Sequence, residues 1–549
     1  MKSHCIPQSR LPKTSALYHD YLEHFERVSG FYGAGSPFDP ESFRAVASAL
    51  DYPAELRAQL GRILSRQNQS YGASEATVEN LRRLAEPGTV AVVTGQQVGL
   101  FSGPAFTLYK ALSAVRLTQH LRDRGIPIVP VFWLATEDHD LEEVASTAVL
   151  DDDYGLVELS DAGVRPSPQS SVGFVRLTGE VTETLDRLEG SLPRGESRDQ
   201  LLADLRESYV PGAAWGEAFA RFLARLFGRW GVILVDALDP ELHRLTAALY
   251  VRAITGASEL NSRLRERSRS LIEAGYHAQV HVGDDSSLLF VSRDGNRTAL
   301  RLSPGGSDFV LDHDVRVSAE EARRLAEERP FDFSANAIFR PIVQDWLLPT
   351  VGYVAGPAEL TYHAQSAALY PVFARLQPVI VPRASFTLLD PRSERILERY
   401  RLHIEDVWHD EEHLRRQIAS AGFAEGWEQR LEQTEYDVMR RLDGLRSDIS
   451  AIDPTLLGAA ERARRRAAYQ FERLKGKITH AAFTRSEVLR RHEHALRAFL
   501  LPGGELQERG LGGVYFLGRA GYDLLDRLLP LISTESACHH RVPFQYALA

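Results

Sequence analysis

The sequence predicts an α/β protein: a doubly wound core, interrupted by two insertions and followed by an antiparallel α-helical coiled coil. Three observations carry this. Residues 88–94 (GTVAVVT), 126–136 (IPIVPVFWLAT) and 231–237 (GVILVDA) are short, β-branched and continuously apolar, as strands covered on both faces of a parallel sheet must be. Residues 88–136 bracket a helix between two such runs, a crossover that is right-handed by default. Leu431, Val438, Leu442, Leu445, Ile449 and Ile452 recur at sevens, fours and threes, the seam of a coiled coil.

In chain order, residues 1–87 read as an N-terminal helical cap and 88–140 as the first βαβ unit. The helix of that unit has Pro104 at its first position and Gly125 past its last turn. Residues 141–230 alternate strand-like and charged helical pieces, as an insertion. The core resumes over 231–275, with one long amphipathic helix over 241–274. A second insertion, 276–335, reads as an antiparallel meander of 277–282, 287–291 and 298–302. Core segments 338–348, 352–356 and 378–385 follow within 336–390, with a helix over 357–376. Residues 391–502 form the coiled-coil domain. Asp453-Pro454 starts its second helix, striped by Ala467, Phe471, Leu474, Ile478 and Ala481, and the exposed stripe makes a homodimer the expectation. Residues 503–549 return to the core.

Composition narrows the function. At 549 residues the chain exceeds one hydrophobic core, and 44% apolar with 25% charged residues excludes wholesale disorder. A net charge of −10 disfavours nucleic acid, which selects basic surfaces. The longest apolar run, 126–135, is half of the ~20 residues a membrane span needs, and residues 1–12 lack a signal-peptide core, so a cytoplasmic protein acting on small molecules is expected. Cys5 and Cys538, at opposite ends, read as no disulfide scaffold, no cysteine zinc cluster and no cysteine nucleophile.

Ligands of parallel sheets sit at the carboxyl ends of the strands. There the sequence places TGQQVGLFSGP (94–104), where Gln96, Gln97 and a glycine turn ending at Gly103 can approach a ligand, with Lys110 two helical turns on. After the next strand come Glu137, Asp138, His139 and Asp140, of which Asp138 and His139 are the candidate acid–base pair. A third cluster joins Gln344 and Asp345 to Gly356, Glu359, Tyr362 and His363, the last three on one helix face. Arg383 and Ser385 end the last core strand, Arg383 suited to a carboxylate. The 137–140 motif could also contribute ligands to a divalent cation, but it offers Glu and His without a third fixed ligand. Arg462 to Lys477 is read as a solvated helix face.

The strings TGQQVGLFSGPAFTLYK (94–110), PVFWLATEDHDLEEV (130–144), RPIVQDWLLPTVGYVAGPAELTYHAQ (340–365) and VPRASF (381–386) together resemble the BshC family of bacillithiol-synthesis cysteine ligases. The resemblance runs over essentially the whole chain and is weakest in the N-terminal cap and in 141–230. It implies a Rossmann-like core with two connecting insertions, a dimerising coiled coil, and addition of cysteine to the amine of glucosaminyl-malate. Amide formation from a free carboxylate needs activation, which makes ATP, with Mg, the candidate cofactor. The core is similar to class I aminoacyl-tRNA synthetases, yet this chain has Gly103-Pro-Ala-Phe-Thr-Leu-Tyr-Lys110 where those carry HxGH. Competing expectations are a nucleotidyl- or glycosyl-type transferase on the same core, and a scaffold whose coiled coil is the active element.

Overall fold

In the computed structural model, which describes residues 3–161, 163–164, 171–293, 296–306, 308–311, 315–422 and 427–544, the chain divides into two units. One comprises residues 1–152, 157–388 and 511–549, the other 153–156 and 389–510.

The first unit opens with β1 (His4–Pro7) and a run of helices ending at Glu75–Ala85. There follow β2 (Val90–Gln96), α1 (Phe106–Arg122), β3 (Ile128–Leu134), β4 (Ile233–Asp236), α2 (Pro240–Thr255), α3 (Arg340–Leu347), β5 (Thr350–Ala355), α4 (Pro357–Ser366), β6 (Val379–Pro382), β7 (Ser385–Leu389), α5 (Gly513–Ala520) and β8 (Cys538–Pro543). The central sheet has the order β6-β5-β2-β3-β4 with every pairing parallel. Along β2, Ala91 and Val93 pack into one apolar cluster while Val90 and Val92 pack into a second, so both faces are covered, as the continuous apolar runs require. All carboxyl ends of this sheet therefore share one edge.

Several expectations change. Pro104 precedes α1, whose N-cap is Ala105. The long helix breaks at Gly256 into α2 and a helix over Ala257–Glu273, because glycine costs about 1 kcal/mol in a helix interior and here closes the first piece through its amide to the Arg252 carbonyl. Residues 277–282 form no strand: the buried amide of Gln365 takes both the Val280 N–H and the Val280 carbonyl, standing in for a neighbouring strand. The second insertion builds two small sheets, Leu289–Arg293 pairing with Asn296–Ala299 and Phe333–Ala335, and Phe309–Leu311 pairing with Arg301–Leu302 and Val315–Val317. Segment 338–348 is mostly the helix α3, and α4 stops at Ser366.

Cys5 and Cys538 are bridged, with their Cα atoms 5.4 Å apart. Their distance in sequence said nothing about space: β1 and β8 pair antiparallel beside β7, and the pairing brings the two ends of the chain together.

In the second unit, helices Trp427–Gly444 and Leu457–Arg485 form a hairpin. Glu432 pairs with Lys475, Asp443 with Arg464 and Arg446 with Glu461, an antiparallel register. Leu431, Val438, Leu442 and Ile449 are half-buried in the seam, whereas Tyr436, Leu445, Ile452, Tyr469 and Leu474 are exposed. Among the described residues no helix is long and apolar enough to cross a membrane.

Candidate active site

At the ends of β2, β5 and β6 lies a buried charge cluster. Lys110, reaching back from α1, is 2% exposed and spends all three ammonium protons on protein acceptors: the Gly95 carbonyl at 2.7 Å, Gln96 Oε1 at 3.0 Å and the Glu359 carboxylate. Glu359 also accepts from the Gly356 amide at 2.8 Å, the reach-back of a helix capping box, and from Tyr353 Oη at 2.8 Å. Arg340 stands 4.0 Å from Glu359 and donates to Tyr362 Oη at 2.6 Å. Arg383 approaches from the end of β6: a methyl group placed on Gly356 would lie 3.4 Å from Glu359 Oε2, 3.8 Å from Arg383 Nε and 4.0 Å from Lys110 Cε. Three cations thus converge on one carboxylate beside a glycine.

Burial here outweighs Glu359 and pulls the Lys110 ammonium below its ordinary range. Burial alone would raise the Glu359 carboxyl, but the charges of Lys110 and Arg340 overcome it and hold that group low. His363 is wholly buried between Tyr353 and Tyr362, and neither ring nitrogen has a hydrogen-bond partner among the described residues. Burial, reinforced by the charge of Arg340, pushes it down to about 3, so it is a neutral imidazole facing the cations. Behind it, Asp345 accepts from Gln344 at 3.1 Å and from Tyr370 at 2.5 Å, and burial lifts it to about 6.

A second cluster occupies the ends of β3 and β4. Gln97 donates to Asp138 at 2.8 Å and to Glu143 at 2.9 Å, while Gln96 faces Lys110. Successive residues at a strand end point to opposite sides, so the glutamine pair joins the two clusters. Arg297 donates to His139 Nδ1 at 2.9 Å. A guanidinium has no acceptor, so Nδ1 accepts and Nε2 carries the proton. Arg297 also lies over the Phe290 ring, 3.8 Å from its centre, and donates to Ser334.

Glu137 is nearly enclosed, and burial pushes it up to about 7 against the pull of Arg297. His243 Nε2 is 3.3 Å from it. His243 Nδ1 faces the Pro330 carbonyl at 3.2 Å and donates there. Beside His139 opens a cavity of about 1150 Å³ lined by Asn261, Asp285, Phe290, Arg297, Arg301 and Ser303, among others.

The structure therefore gathers Gln96, Lys110, Gly356, Glu359, Tyr362, His363 and Arg383 in one cluster, with Gln344 and Asp345 behind it. Gln97, Glu137, Asp138 and His139 form the other. Asp140 caps the helix Leu141–Val144 by accepting from the Glu143 amide. Ser385 lies in the smaller sheet, its Oγ 2.7 Å from His539 Nδ1. Gly103 is covered: its carbonyl accepts from Gly513 at 3.0 Å, and the Ala105 amide at the start of α1 donates to Leu511 at 2.9 Å. Phe101 and Ser102 beside it are buried with positive φ, a strained turn held by this packing. So the second half of the glycine motif receives residues 511–513, and only Gly95, Gln96 and Gln97 face the clusters.

This bears on ATP and Mg. The amide of the N-cap Ala105 is taken by Leu511, and every Lys110 proton has a protein acceptor. Among the described residues no three His, Cys, Asp or Glu groups gather to hold a metal ion. Residues not singled out from sequence are Arg340, Tyr353, Arg297 and His243. Arg340 and Tyr353 lie inside the string RPIVQDWLLPTVGYVAGPAELTYHAQ, and the proline after Arg340 marks a helix start; Arg297 and His243 carried no local signal.

Comparison with known proteins agrees with this layout. Residues 1–384 match the model of the bacillithiol biosynthesis BshC N-terminal Rossmann-like domain, and residues 386–544 that of the BshC C-terminal coiled-coil domain. A protein of Solibacter usitatus named "Putative cysteine ligase BshC" is 38% identical, covering 97% of this chain and 98% of its own. Proteins of the same name from Koribacter versatilis and Salinibacter ruber are 36% and 32% identical, each spanning 98% of this chain and 99% and 98% of their own.

Proposed function

The chain belongs to the BshC family, and from that premise we propose that it is a cysteine ligase that joins the cysteine carboxyl group to the amine of glucosaminyl-malate as an amide. The observation that supports this most is the buried charge cluster: Lys110, Arg340 and Arg383 act on one another around the carboxylate of Glu359. Such a gathering of cations attracts an anion, here a carboxylate or an activated acyl group.

The amine belongs to the other cluster. The attacking nitrogen forms the C–N bond, the activating group leaves with the electron pair of its bond to the acyl carbon, and the nitrogen's proton passes to Glu137. A base near 7 suits that task at neutral pH. Asp138 and the exposed Nε2–H of His139 orient the nucleophile, and the polar cavity beside His139 holds the sugar acid. No step here is routed through a nucleotide or Mg. The exposed apolar side chains along the hairpin support a homodimer formed through the coiled coil.

The test is mass spectrometry of the protein incubated with cysteine, glucosaminyl-malate, ATP and magnesium, following amide and nucleotide together. Amide formation is expected. Its absence when both substrates are shown to bind would overturn the reading, and release of AMP, of ADP or of neither identifies how the carboxylate is activated.

A further inference from the structure

The two cysteines lie on strands from opposite ends of the chain. In the β1–β8 ladder Cys5 faces His540 and Pro7 faces Cys538, so the cysteines are diagonal neighbours and are bridged. Cys5 is exposed and Cys538 half-buried. Gln8, directly after β1 and buried, donates from one side-chain amide to the Cys538 carbonyl at 3.0 Å and to the Arg383 carbonyl at 3.2 Å. Tyr18 Oη fixes the other end of that amide. Beside this link, Ser385 and Thr387 of β7 grip His539 through its two ring nitrogens, at 2.7 and 2.9 Å. One glutamine thus ties the disulfide's strand to the residue that carries a site cation.

We propose that Cys5–Cys538 is a thiol-exchange site open to a low-molecular-weight thiol, and that opening it loosens the backbone that positions Arg383. In the first step the thiolate of the small thiol attacks Sγ of Cys5, forming a mixed disulfide there and releasing Cys538 as a thiolate, which takes up a proton. A second small thiol then attacks the mixed disulfide at the small thiol's own sulfur, leaving Cys5 as a thiol and the two small thiols joined as their disulfide. The exposure of Cys5 directs attack to it. With the covalent tie gone, β8 is held to β1 by its ladder hydrogen bonds, and the Gln8 bridge transmits the added freedom to residue 383. Arg383 is a positioning endpoint of this linkage, not a participant in the exchange.

The test uses the full-length protein purified without reductant. Alkylation by N-ethylmaleimide in denaturant should add no mass before treatment and two adducts after prior exposure of the native protein to 2-mercaptoethanol. In Cys538→Ser, 2-hydroxyethyl disulfide should add one mercaptoethanol to Cys5. Hydrogen exchange over residues 379–389 should be several-fold faster in the reduced protein and in Cys5→Ser than in the bridged protein, and Gln8→Leu should erase that difference. Two adducts without reductant, or a bond that opens only on unfolding, would overturn the exchange site. Unchanged exchange over 379–389 after reduction would overturn the link to Arg383. Neither readout uses ligase activity, so both stand apart from the proposed reaction.

Discussion

Replacing Glu359 by glutamine tests whether the cation cluster is held by charge or by shape. Glutamine keeps the volume and still offers an oxygen to the Gly356 amide, so what is lost is the negative charge facing Lys110 and Arg340. Removing one partner of a buried ion pair costs about 3–5 kcal/mol, because the survivor is left charged and desolvated. The lower end, about 3 kcal/mol, applies here, since Lys110 keeps the Gly95 carbonyl and Gln96 as acceptors. Lys110→Met should cost less, as Glu359 retains Gly356, Tyr353 and Arg340. The double variant places an amide beside a thioether and should recover much of the loss, giving a coupling of at least about 2 kcal/mol in a cycle of urea-unfolding free energies followed by tryptophan fluorescence. The folded-state carboxyl of Glu359 lies below its ordinary 4.5, so its contribution is present above pH 4.5 and fades as pH falls through the folded value. The single variant should therefore approach the wild type in acid. Additive single losses, within about 0.5 kcal/mol, would refute a charge-held cluster.

Glu137→Gln should lower kcat for amide formation by about 10²- to 10⁴-fold. The wild-type rate should rise with pH through about 7 as Glu137 loses its proton, and the variant should lack that limb; an unchanged profile would remove Glu137 from the proton path. Gly356→Ala adds a methyl whose nearest neighbour is 3.4 Å away, so the fold should tolerate it while KM for cysteine rises several-fold; a KM like the wild type's places the substrate elsewhere. Glutamates in place of both Ile452 and Tyr469, which are 79% and 63% exposed, should convert a dimer to a monomer in light scattering without altering the circular dichroism of the first unit. A dimer that survives both changes does not use this face.

The parallel sheet was legible because its strands are apolar on every residue, a pattern that only coverage of both faces explains. The glutamine pair was legible too, since a polar pair directly after such a strand stands at the ligand edge. What escaped was information carried by distant partners. Residues 99–103 read as a ligand loop because glycines permit close approach, but nothing local says what approaches. The answer was residues 511–513, themselves a glycine stretch that the sequence returned to the core without saying where. Likewise Cys5 and Cys538 became neighbours only when β1 and β8 paired.

Cation excess is the property least available to sequence reading, and it carries the functional argument. Lys110, Arg340 and Arg383 come from α1, from the start of α3 and from the end of β6; the sequence offers Lys110 and Arg383 separately as candidates for an anion and Arg340 only as a helix start. Solvated, three such side chains would have no consequence. Two features convert them into a site: the parallel sheet brings their elements to one edge, and burial withdraws the water that would screen them. Glu359 neutralises only one unit of that charge while also capping α4, so an incoming carboxylate takes up a further unit without displacing the bond that holds its helix.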